Sequence, residues 1–143
     1  MISTGNTHMD AQRAFDKASR AARRHTVVTR LRRRCVECSR LAVYDSRTRR
    51  PAREGGIREI PLEQITGTLE PNRAEHFDHA FRPDGVVRER WQRLWVAEAR
   101  GAVLPPISVV PAGDGYAVRD GHHRVSVAMA RGAVTIDALV GAG

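Results

Sequence analysis

Lysine is almost missing from this chain: Lys17 is the only one, and 23 of the 24 basic residues are arginine. Aromatic residues are scarce as well, at 5%, so small aliphatic side chains must fill the core around a few large anchors. Two cysteines three positions apart, Cys35 and Cys38, are too few for a disulfide-stapled scaffold. No apolar run reaches the roughly 18 residues of a spanning helix. The opening MISTGNTHMD lacks the basic start and apolar centre of a secretory signal, so the expected location is cytoplasmic. No internal repeat is visible.

What is present suits one ordinary domain. The 143 residues are 41% hydrophobic and 28% charged, a composition that supports a single core. The formal net charge is +8, but it is divided unevenly. Residues 1–56 carry 14 basic and 5 acidic side chains, whereas residues 57–143 carry 10 and 11. A near-neutral body therefore follows a strongly basic front end. Such an arm favours acidic partners, although an arginine-heavy genome yields part of the surplus without any binding role.

Residues 1–9 are polar and predict a disordered tail. From Asp10, a candidate cap, a helical pattern runs to about Arg34, with Ala11, Phe15, Ala18, Ala22 and Leu31 on one face. The other face carries Arg13, Lys17, Arg20 and Arg24 and leads into Arg32, Arg33 and Arg34. Because the apolar stripe is mostly alanine, shallow docking or fraying is expected. Residues 13–34 form the candidate surface for non-specific nucleic acid. The Cys35–Cys38 spacing equals half a zinc site or a redox pair, and it equally suits two unrelated thiols. Residues 39–56 predict a linker or short helix and turn, which gives an arm over 10–56 and a compact domain over 57–143.

Within that domain the pattern predicts a strand at 57–60 stopped by Pro61, then a helical turn or irregular packing around Leu62, Ile65 and Leu69. A polar stretch, 71–85, surrounds Phe77 and Phe81. Asp84 is placed to cap a helix over 86–100, whose stripe is Val87, Trp91, Leu94, Trp95 and Ala99. Strands at 107–110 and 116–118 flank Gly113-Asp114-Gly115 and predict a hairpin. A helix to Arg131 and a strand over 134–140 complete the chain. The fold class is α+β: a small mixed β-sheet with packed helices, preceded by a basic N-terminal helix.

The most informative stretch is Asp120-Gly121-His122-His123-Arg124, where a strand meets a helix start. Unpaired backbone N–H groups and the helix dipole favour an anion there. Gly121 permits a tight turn, Arg124 offers a planar fork to phosphate oxygens, and the two histidines can donate to oxygen or move a proton near neutrality. Asp120 can orient a histidine, hold Mg²⁺ or cap the helix. An ordinary Asp-Gly turn with one inward-facing histidine is the plainer alternative. One glycine distinguishes the stretch from a Walker loop or a dinucleotide fingerprint.

Residues 105–140, PPISVVPAGDGYAVRDGHHRVSVAMARGAVTIDALV, together with IREIPLEQITGTLEPNR at 57–73, resemble the ParB/sulfiredoxin superfamily. The blocks FDHAFRPD and RDGHHRVSVA resemble those of uncharacterised actinobacterial members of that superfamily. Sulfiredoxins carry Gly-Cys-His-Arg where this chain has Gly121, His122, His123 and Arg124, so the nucleophilic sulfur is replaced and peroxiredoxin repair is not expected. Partition proteins bind CTP with Gly-Glu-Arg-Arg at the equivalent loop. Free serine kinases, with an Asp-Gly-His-His-Arg-like loop, are the most similar in residue chemistry.

The resemblance implies a nucleotide ligand (ATP, ADP or CTP) with Mg²⁺ through Asp120. Gly121, His122, His123 and Arg124 would cradle phosphate, assisted by Arg73 and Arg82. Asp120, His122, Asp78 and Glu63 are the catalytic candidates if phosphoryl transfer or nucleotide hydrolysis occurs. The alternative is a non-catalytic, DNA-associated or regulatory module of the chromosome-partition type. Homodimerisation is a further expectation.

Overall fold

Alternating small and β-branched residues make the sheet, and its central strands are apolar on both faces. The computed structural model describes residues 5–45 and 56–141. The strands are β1 (Ala42–Val43), β2 (Ile57–Pro61), β3 (Ile65–Thr68), β4 (Ile107–Ala112), β5 (Gly115–Asp120) and β6 (Thr135–Val140). They form one mixed sheet in the order β1-β3-β5-β4-β6-β2. The pairs β1–β3, β3–β5 and β4–β6 are parallel. The pairs β4–β5 and β2–β6 are antiparallel, the first being the expected hairpin. The α+β class with a small mixed sheet is what the structure shows.

Among the described residues four helices join the sheet: α1 (Thr7–Leu31), α2 (Pro71–Ala74), α3 (Arg88–Ala99) and α4 (His122–Ala130). On one sheet face, Ile107, Val109, Val118 and Val125 are fully buried with Phe77 and Phe81. On the other, Val110, Ala112 and Ala117 lie beneath Tyr44 and Leu69. Burial on both faces explains why β4 reads as a run of apolar residues rather than as an alternation. A third cluster joins Phe15 of α1 to Trp91 and Trp95 of α3 and Val127 of α4.

That third cluster corrects the expectation of shallow docking. Phe15 is fully buried and meets Trp91 edge-on, with ring centroids 5.4 Å apart. The Arg88 guanidinium covers its other side, 4.4 Å from the ring centre. One phenylalanine among alanines suffices because the alanines let α1 approach α3 closely. Helix α1 starts earlier than expected and is capped by Asn6, whose side chain accepts from the N–H groups of His8 and Met9. Asp10 lies in the first turn instead. The helix ends at Leu31, which is 79% exposed rather than part of the stripe. Residues 1–4 of the expected tail lie outside the described residues, while Thr7–Met9 are helical.

Other differences are local. The 62–69 stretch opens on a helical turn, as expected, a 3₁₀ turn over Leu62–Gln64, but continues as strand β3, which was not expected there. Strand β1 extends the sheet back to Ala42, ahead of Ile57, and residues 46–55 of the expected linker lie outside the described residues. Asp84 caps as expected, but through Val86 N–H onto a 3₁₀ turn, Gly85–Val87, that leads into α3. Ala99 ends exposed. Cys35 and Cys38 form a disulfide, with Cα atoms 5.3 Å apart. No described helix is long and apolar enough to cross a membrane.

Candidate functional site

The strand ends that matter meet at one edge of the molecule. Because β3 runs parallel to β5, Thr68 pairs with Val118, and both strands deliver their C-terminal ends to the same place. Ligands of open sheets with helical crossovers commonly gather at such ends. Beyond β5 the chain turns at Gly121, whose φ of +109° lies in the left-handed region. A Cβ there would also stand 2.5 Å from Ile107 Cγ2, so conformation and space both require glycine. Helix α4 starts at once and has no side-chain cap. Its leading N–H groups are therefore left to water or to a ligand.

The first two residues of α4 are both buried histidines, His122 at 4% exposure and His123 at 6%. The Nε2 of His122 lies 2.6 Å from Thr68 Oγ1, and Thr68 in turn accepts from the Glu70 N–H at 2.9 Å. Phe77 stacks on His122 and meets His123 edge-on, with centroids 6.3 and 5.4 Å apart. Burial lowers the His122 pKa from 6.5 to about 4; the charges of Arg73 and His123 push the same way, against Asp120. His123 is also lowered to about 4, chiefly by burial and then by Arg90, Arg73 and His76. Both imidazoles are neutral at pH 7, in a positive field from two guanidiniums.

The expected site residues are distributed as follows. Gly121, His122 and His123 meet at the helix start, and Arg73 acts on both rings. Arg124 faces elsewhere. Its guanidinium donates to the carbonyls of Pro105 and Pro106 at 2.6 and 2.9 Å, and to Asp120 Oδ2 at 2.9 Å. It braces the loop against the entry to β4. Asp78 and Arg82 bond each other, Nε to Oδ2 at 2.7 Å, and Asp78 also accepts from the N–H groups of Ala80 and Arg82. Glu63 precedes β3 and stands at the opposite end of the sheet, since Ile65 pairs with Tyr116 near the start of β5.

Thr68 and Arg90 are site neighbours that the sequence pattern did not point to. Thr68 was hidden because 62–69 carries no clean alternation. Arg90 immediately precedes the buried Trp91 on α3, and that adjacency to an anchored position was the available signal. Neither Arg73 nor Arg90 has an ion-pair partner among the described residues. Among those residues no group of three His, Cys, Asp or Glu is placed to hold a metal ion. Mg²⁺ arriving with a nucleotide needs only one or two protein carboxylates, and Asp120 can provide one by releasing Arg124.

No family model and no curated protein sequence matches this chain. Among solved structures, the chain is similar to the crystal structure of sulfiredoxin from Arabidopsis thaliana. That alignment has 23% identity and a TM-score of 0.45 over 62% of this chain and 88% of the other.

Proposed function

We propose that this chain is a ParB/sulfiredoxin-like domain that binds the phosphates of a nucleotide (ATP, ADP or CTP) at the first turn of α4. One observation carries the reading. Two neutral, buried imidazoles stand at an uncapped helix start, flanked by two guanidiniums without carboxylate partners among the described residues. An incoming phosphate would accept from the α4 N–H groups and from a neutral imidazole N–H, and Arg73 and Arg90 would balance its charge. Thr68 fixes the His122 ring through its hydrogen bond. Arg124 would act by bracing the loop, and Mg²⁺ would reach the phosphates through Asp120.

If phosphoryl transfer or hydrolysis follows, positioning and charge neutralisation carry most of the rate. Calorimetric titration with ATP, ADP and CTP, each with and without Mg²⁺, tests the assignment. Saturable binding to the wild type is expected, weakened about tenfold or more by Arg73→Ala or His123→Gln. Unchanged affinity in both variants would remove the site from the α4 turn.

A second reading, a DNA-associated binding module, is supported by the outer face of α1, where Arg13, Lys17, Arg20 and Arg24 are all exposed. Binding of that kind falls steeply with salt. It would persist in Arg73→Ala, which separates it from the nucleotide reading.

A further inference from the structure

The second half of α1 borders a cleft that the proposed phosphate site does not use. The cleft is about 510 Å³ and lies between α1, the segment after the disulfide, and residues 75–88. On α1, Ser19, Ala22, Arg23, Thr26 and Arg30 fall on one face, at intervals of three and four residues. Arg40 enters from the segment that follows Cys38. Val27, Val36, Phe77 and Pro83 supply apolar surface, the last two being buried.

The charges in this cleft do not cancel. Asp78 is fully engaged by Arg82 and by two backbone N–H groups. Asp84 accepts from the Val86 N–H and pairs with His76 Nδ1 at 2.8 Å. Arg88, at the rim, pairs with Asp16. By contrast, the guanidiniums of Arg23, Arg30 and Arg40 have no partner among the described residues. Glu75 is the one acidic lining residue without a bonded partner among the described residues. His76 offsets the Asp84 carboxylate only when protonated, so three positive groups face two negative ones, Glu75 and Asp84, and the surplus that is left is one that an anion would neutralise.

We propose that this cleft binds a small organic anion, a carboxylate or phosphate monoester on an apolar body, separately from the α4 site. The acidic group meets Arg23, Arg30 and Arg40, and the body covers Val27, Val36 and Phe77. A volume of this size exceeds what a bare inorganic ion fills and falls within the range of small-molecule sites. Phe77 lines the cleft and also touches both His122 and His123. An occupant would therefore press on the residue that walls the α4 site.

The proposal can be tested with four probes: phenyl phosphate, benzoate, inorganic phosphate and benzyl alcohol. Each is titrated into the full chain while amide signals are followed by ¹H–¹⁵N spectroscopy. The expected result is saturable shifts at Val27, Val36 and Arg40 with phenyl phosphate or benzoate, whichever acid the site prefers. Inorganic phosphate and benzyl alcohol should bind about tenfold or more weakly at those amides, because each lacks half of the recognition. Arg23→Gln/Arg30→Gln, two exposed positions whose loss leaves the spectrum folded, should weaken the organic anion about tenfold. Equal binding of benzyl alcohol, or unchanged affinity in the double variant, would overturn the proposal. Shifts confined to residues 121–124 would also overturn it, while leaving the phosphate site standing.

Discussion

Lowering the pH from about 7.5 to about 5 sets protons against two imidazoles that the fold holds neutral, and the cost follows by linkage. His122 and His123 have folded pKa values of about 4 against an ordinary value of 6.5. The unfolded chain therefore takes up protons first as the pH falls. Stability is complete above about 6.5 and is lost on the way down to about 4, the opposite of a histidine stabilised by a carboxylate. At pH 5 an unfolded imidazole is almost fully charged and the folded one almost fully neutral, which is worth about 2 kcal/mol for each ring. The His123 charge contributes to the His122 shift, so the pair is taken as about 3 kcal/mol rather than the full sum. Both side chains are deeply buried, so solvent screening removes little of it.

Urea denaturation at both pH values reads this difference, because ΔG follows the midpoint when the slope is constant. A loss of about 3 kcal/mol corresponds to a fall of roughly 6–12 °C in thermal midpoint for a chain of this size. The comparison is made with His122→Gln/His123→Gln, which isolates the part of the pH response that belongs to these two rings. That variant is less stable at pH 7.5, since it disturbs the Thr68 contact, but its further loss at pH 5 should be about 3 kcal/mol smaller than that of the wild type. Equal losses in the two proteins would refute the claim that burial of these rings sets the pH response.

Two further predictions concern packing and the turn. Phe15→Ala should destabilise the protein by about 3–5 kcal/mol in the same denaturation assay, as expected for a fully buried aromatic side chain; a loss below about 1 kcal/mol would mean that α1 is only loosely attached. Gly121→Ala places a Cβ against Ile107 at a φ of +109°. It should cost about 2–4 kcal/mol and remove nucleotide binding even under conditions where the variant is folded, which circular dichroism and calorimetry check together.

Much of the fold was legible from local rules. The hairpin over β4 and β5, helix α4 and strand β6 fall where periodicity and Gly113, Gly121 and Gly132 put them. Strand β3 was not legible because its side chains answer to different neighbours: Ile65 enters the main core while Thr68 is held by His122. The site was half visible. Gly121, His122 and His123 are adjacent in sequence, so their meeting needed no tertiary knowledge. The partners of Arg124 needed it: sequence spacing put its fork on a ligand, whereas the antiparallel pairing of β4 and β5 brings the carbonyls of Pro105 and Pro106 within its reach.

The same distinction clarifies the charge surplus of the first 56 residues. Charge counting treats those residues as an arm free to follow any acidic partner. Helix α1 is instead bolted down through Ala11, Ala14 and Phe15, so the directions of its later turns are fixed. Arg23 and Arg30 are held toward the cleft, whereas Arg20 and Arg24, each next to one of the cleft-lining positions, lie outside its wall. One helix thus presents two basic surfaces, one lining a confined cleft and one open to solvent. The two differ in what they can recognise: the cleft offers apolar surface beside its guanidiniums, and the open face offers charge alone. Salt should therefore weaken binding at the open face far more than binding in the cleft, because screening acts on exposed charge and leaves apolar contact untouched.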